Sequence, residues 1–75
     1  MNLLYEKKFG NNIRDLRISK GMTQEQLSSK LQLHGCDITR SALAKIEVGQ
    51  RHLYPDEIKL LKTILNVSYN ELFID

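Results

Sequence analysis

The start of a helix is written repeatedly in this chain, and that repetition constrains the fold more than any other feature. At Met22-Thr23-Gln24-Glu25-Gln26-Leu27, Thr23 is placed to cap the free N–H groups of a first turn, Gln26 to reach back to the cap, and Met22 to pack on Leu27. Val67-Ser68-Tyr69-Asn70-Glu71-Leu72 repeats the arrangement, with Ser68 as cap, Glu71 returning, and Val67 against Leu72. At Ile38-Thr39-Arg40-Ser41-Ala42-Leu43 the cap and the apolar staple recur, with Ala42 where the returning Glu or Gln would stand. Pro55, followed by Asp56 and Glu57, marks another start, because proline suits the first helical position and acids favour the positive end of the helix dipole.

The stops and the buried stripes agree with these starts. Phe9, Ile13 and Leu16 share a helical face, and Gly21 is placed to accept the left-handed turn that ends their helix. Leu43 and Ile46 form the inward stripe of a helix stopped by Gly49, and Ile58, Leu61 and Leu65 that of the next. Helices are therefore expected at about 9–20, 23–33, 39–48, 55–65 and 68–74, while residues 1–8 carry no clear signal. With no convincing period-2 segment, repeat or linker, residues 1–75 read as a single all-α domain of five short helices. Helices of this length are marginal alone, so each depends on burying its stripe against the others.

Composition removes several classes of function. One cysteine in 75 residues rules out an internal disulfide framework, and with no secretory h-region this points to the cytoplasm. The longest apolar runs, such as Leu3-Leu4-Tyr5, fall far short of the roughly 20 residues that span a bilayer. A net charge of +2 permits a nucleic-acid partner without demanding one. The distribution of charge has to decide.

It does so in the third helix. Beside its inward Leu43 and Ile46, and an Ala42 small enough for close approach, its remaining face carries Arg40, Ser41, Ala44 and Lys45, with no acid and nothing bulky and apolar. Arginine and lysine donate to guanine O6 and N7, serine pairs with several base edges, and an alanine methyl touches thymine. On composition alone the same face also reads as an ordinary solvated surface.

The order of these pieces favours the first reading. IRDLRISKGMTQEQLSSKL, then ITRSALAKIEVGQR, then NVSYNELF resemble the lambda-repressor-like (Xre-type) helix-turn-helix family of bacterial and phage DNA-binding proteins, from about Ile13 to Phe73. The resemblance implies a compact five-helix DNA-binding domain and a small transcriptional regulator that lays its third helix in the major groove of double-stranded DNA. It further implies base contacts from Arg40, Ser41, Ala44 and Lys45, and phosphate contacts from Gln24, Thr39, Gln50 and Arg51. Gln24 would also brace the third helix, and Arg17 and Glu47 would form a structural ion pair between the first and third helices.

One departure from the family pattern stands between the second and third helices. Such helices usually meet through a turn of about three or four residues, whereas Gln32-Leu33-His34-Gly35-Cys36-Asp37 lengthens the connection here. The recognition helix is accordingly expected to be tilted or shifted, with Gly35 suited to a positive φ and Asp37 to local backbone hydrogen bonds. His34 and Cys36 read as loop filler with partial burial of the thiol: a zinc site needs about four ligands, and His52 brings no second cysteine. Tyr5, Tyr54 and Tyr69 lack the clustering of a stacking platform for single strands. No catalytic constellation, cofactor site or small-molecule site is expected.

Recognition by one short helix covers few base pairs, so a homodimer on DNA is expected, with Leu53, Tyr54, Leu72, Phe73 and Ile74 as interface candidates that serve equally to close the core. The competing reading is a protein-interaction module, an antitoxin or anti-repressor on the same fold. The third helix speaks against it, since a protein-binding face is expected to carry more aromatic or aliphatic anchors than Arg40, Ser41 and Lys45.

Overall fold

In the computed structural model, which describes residues 3–73, the chain forms α1 (Leu3–Ser19), α2 (Gln24–Leu33), α3 (Arg40–Glu47), α4 (Pro55–Leu65) and α5 (Tyr69–Leu72). The predicted end of the last helix at Ile74 lies outside the described residues.

The starts form as the sequence expects. Thr23 accepts the Gln26 N–H at 3.1 Å while the Gln26 side chain accepts the Thr23 N–H at 2.8 Å, and Ser68 and Glu71 repeat both bonds at 3.1 Å. Thr39 accepts from the Ala42 N–H alone, at 3.2 Å. Helix ends are equally regular. After α1, α2 and α3, a residue with φ of 73°, 82° or 79° (Gly21, Gly35, Gly49) turns the chain, and Asn66 does the same for α4 at φ 56°. Each end is closed by a pair of reversed backbone bonds, such as Cys36 N–H to Leu31 and Gly35 N–H to Gln32, both at 3.0 Å.

α1 corrects the expected boundary at residue 9: the helix begins at Leu3. Gly10 conceals the continuity, since glycine weakens a helical pattern, yet here it is required by packing. A Cβ on Gly10 would lie 2.2 Å from the Ile46 carbonyl oxygen, so α1 can cross the end of α3 only where a side chain is missing.

α1 lies against α3 and α5, and α2 against α3 and α4. Their shared core holds Ile13, Leu27, Leu31, Ile38, Leu43, Ile46, Leu61, Leu65, Val67 and Leu72. The connection between α2 and α3 starts at His34, because Gln32 and Leu33 belong to α2. It is tied down at its far end: Ile38 is fully buried, and the Gln32 amide donates to the Ile38 carbonyl at 3.1 Å. Gly35 has the expected positive φ, whereas Asp37 is exposed and its carboxylate takes no hydrogen bond among the described residues. Leu72 and Leu53 pack in or on the core rather than outside it. α5 is held by Asn12, whose side-chain amide donates at 2.8 Å to the carbonyls of Glu71 and Leu72, and by the stacking of Phe9 on Phe73 at 4.9 Å. Among the described residues no helix is long and apolar enough to cross a membrane.

Candidate nucleic-acid interface

α3 is divided by its 3.6-residue period into two unlike faces. Leu43 and Ile46 point into the core, and so does the helix's only acid, Glu47, which is 2% exposed. A buried carboxylate is costly unless paired, and Glu47 is paired thoroughly. Arg17 Nε donates to its Oε2 at 2.8 Å and Arg17 Nη2 to its Oε1 at 3.1 Å, the planar two-pronged geometry in which arginine binds carboxylates best. The third arginine nitrogen, Nη1, donates to the Met22 carbonyl at 2.8 Å. Gln24 Nε2 completes the group by donating to Glu47 Oε1 at 3.0 Å. The expected ion pair of Arg17 and Glu47 is thus present, and Gln24 braces α3 as the resemblance implies, fixing α1 and the first residue of α2 to one acid of α3.

Turning Glu47 inward leaves the outer face without negative charge. Arg40, Ser41 and Lys45 are exposed there, and Ala44 is half-buried beside them. Val48, the C-cap just past Glu47, is 52% exposed and, three and four residues after Lys45 and Ala44, extends this face with an apolar side chain. The arrangement can do one thing chemically: offer donors of positive or neutral character along a convex rod about 10–12 Å wide, the width a major groove admits.

The flanks hold the four residues expected on phosphates. Thr39 and Gln24 sit at the starts of α3 and α2, where N–H groups and the helix dipole favour anions. Thr39 Oγ1 already accepts one backbone N–H and Gln24 already donates to Glu47, so each has only its remaining proton to offer. Gln50 is exposed, its N–H bound to the Lys45 carbonyl at 2.7 Å. Arg51 is not the free cation that its place beyond Gly49 suggests. It grips Glu57 through Nη1 at 3.2 Å and Nη2 at 3.1 Å and donates to the His52 carbonyl at 2.9 Å. Glu57, expected only as a dipole-favouring acid, also accepts the Tyr54 N–H at 2.9 Å and so fastens the start of α4.

Burial pushes the Glu57 carboxyl up, but the Arg51 and Tyr54 hydrogen bonds and the Arg51 charge together outweigh it and hold the group below its ordinary value. The hydrogen bonds to Glu57 in turn raise Arg51. Burial, aided by Glu57 and Asp56, raises the Cys36 thiol, which therefore holds little thiolate near neutral pH and is a poor nucleophile. His34 Nδ1 bonds to the Lys30 carbonyl at 2.8 Å, and no cluster of three or more potential metal ligands occurs among the described residues.

Comparisons with known proteins fit this geometry. The helix-turn-helix family matches residues 13–72, from the middle of α1 to the end of α5. The control protein C.BamHI of Bacillus amyloliquefaciens is 34% identical over 65 residues, which cover 85% of this chain and 74% of that protein. The crystal structure of the restriction-modification controller protein C.AhdI from Aeromonas hydrophila superimposes with a TM-score of 0.81 at 35% identity, over 95% of this chain and 96% of that one. With this span, these relatives and the inward-facing Glu47, the chain belongs to the lambda-repressor-like (Xre-type) helix-turn-helix family of DNA-binding transcriptional regulators.

Proposed function

We propose that the chain reads a short duplex sequence through Arg40, Ser41, Ala44 and Lys45, with Gln24, Thr39 and Gln50 on the flanking phosphates and Arg51 lent to them from its ion pair. The observation that carries this reading is the division of α3. Its one acid is sealed against Arg17 and Gln24, so that every exposed charge on the helix is positive. The work is recognition rather than catalysis, carried out in the cytoplasm. C.AhdI is a restriction-modification controller protein, and control of such genes is the role we assign to this chain.

A homodimer is part of the proposal, since useful specificity from so short a helix takes two copies on half-sites about 34–36 Å apart. Of the five interface candidates, Tyr54 and Phe73 are exposed at 62% and 40%, whereas Leu72 is fully buried and Leu53 is half-buried against the core. Ile74 lies outside the described residues. Tyr69, 46% exposed and 6.4 Å from Phe73, joins the candidates.

Selection of bound sequences from random duplex DNA tests the whole reading. An enriched inverted repeat is expected, and Arg40→Ala or Lys45→Ala should each weaken binding to it by about 1–3 kcal/mol while changing random-sequence affinity less. No enrichment at all would move the assignment toward a protein partner.

A further inference from the structure

The first turns of α1 lie before the span that matches the family, yet they touch the loop that leaves the recognition helix. Gly49 rests on the backbone of Lys7 so closely that a Cβ there would fall 2.9 Å from Lys7 Cα and 3.0 Å from Lys7 N. Three residues on, His52 Nδ1 meets Glu6 Oε1. Two points on the loop, Gly49 and His52, are therefore pinned to successive residues of α1, and between them lie Gln50 and Arg51.

As a stabilising device this contact is poorly built. The His52 side chain is 56% exposed, where ion pairs contribute little. Glu6 Oε2 is buried and takes no hydrogen bond among the described residues, which is unfavourable for a carboxylate. What the contact does well is restrict a loop whose ordering would otherwise cost entropy when DNA binds.

We propose that Glu6 and His52 are positioning residues for DNA binding: the start of α1 is a brace that pre-orders the 49–52 loop against the phosphate backbone. The inference rests on the assignment of Gln50 and Arg51 to phosphates. Glu6 acts only through His52, so the pair should behave as one unit.

The test is a double-mutant cycle on the full chain, read with a duplex enriched from random DNA. Glu6→Ala and His52→Ala are each expected to weaken binding roughly three- to tenfold, the range that ordering one side chain implies. The double variant should be no weaker than either single one. Glu6→Gln, whose amide oxygen can accept the same hydrogen bond, should restore most of the affinity. In ethylation interference, both alanine variants should become insensitive to modification of the same phosphate, and their thermal midpoints should stay near that of the wild type. Unchanged affinity in both single variants would overturn the brace, as would additive losses that track a fall in thermal midpoint. A wild-type chain with no duplex affinity would overturn the DNA reading, and the brace with it.

Discussion

Two arginine–glutamate pairs frame the recognition helix, both two-pronged and unlike in setting. Arg17 and Glu47 are 30 residues apart in sequence, with side chains 9% and 2% exposed, and they join three helices. Arg51 and Glu57 are six residues apart, 29% and 11% exposed, and join a loop to the helix that follows it. In the first pair neither charge has water to return to, so we assign the pair to the scaffold rather than to DNA. In the second, Arg51 keeps a wet edge, and a phosphate can compete with Glu57 for the guanidinium at little cost. On the proposed reading, depth rather than shared chemistry separates the scaffold arginine from the one offered to DNA.

The difference is tested most severely by removing one partner of the deep pair. Arg17→Ala or Glu47→Ala leaves a buried charge unpaired and should destabilise the fold by about 3–5 kcal/mol. That is a large share of the stability of a 75-residue domain. Urea unfolding followed by circular dichroism measures it. A loss below about 1 kcal/mol would place this pair in the same class as an exposed one.

Gln24→Ala probes the edge of the same group. Glu47 Oε1 would keep Arg17 Nη2 but lose the Gln24 amide, so a stability loss of about 1–2 kcal/mol is expected. Affinity should fall for all duplex sequences alike if the residue also serves a phosphate, as proposed. If stability falls and affinity per folded molecule does not, Gln24 belongs to the scaffold alone.

The two pairs also differ in how legible they are in the sequence. Arg17 and Glu47 can be paired only through the family resemblance, since nothing local connects residues 30 apart. Arg51 and Glu57 lie close in sequence, yet each has a simpler reading by itself, as a phosphate contact and as a first-turn acid. The helix starts at Thr23, Thr39, Pro55 and Ser68 are legible because caps act within about four residues of chain. Two features are not. α1 begins at Leu3 although Gly10 interrupts its pattern, because the requirement for glycine is set by the Ile46 carbonyl across the interface. The contact of Glu6 with His52 depends on that same crossing.

Arg51→Ala should have a smaller effect on folding, up to about 1 kcal/mol, since its pair is partly screened by water. Its consequence belongs to binding: weaker affinity for every duplex and a salt dependence flatter by up to about one unit. Glu57→Gln should do the opposite, releasing Arg51 and strengthening non-specific binding at low salt. Measuring affinity against salt concentration for both variants separates the cases, and an identical slope in wild type and Arg51→Ala would remove Arg51 from the phosphate contacts.

The smallest expected effect is a pH signature of the shallow pair. Because the folded Glu57 carboxyl sits below its ordinary value, its stabilisation is complete above the unfolded glutamate pKa of about 4.3 and disappears as pH falls through the lower folded value. Glu57→Gln has no charge to lose there. Urea midpoints of wild type and variant should therefore converge as the pH is lowered below about 4 and separate, with the wild type higher, as it rises past about 5. The Glu71 carboxyl is also held low, first by the Ser68 N–H and then by the Ser68 hydroxyl, but it is common to both chains and cancels from the difference. Parallel midpoint curves across this range would mean that Arg51 gives Glu57 no net stabilisation, leaving the pair wholly free to exchange with DNA.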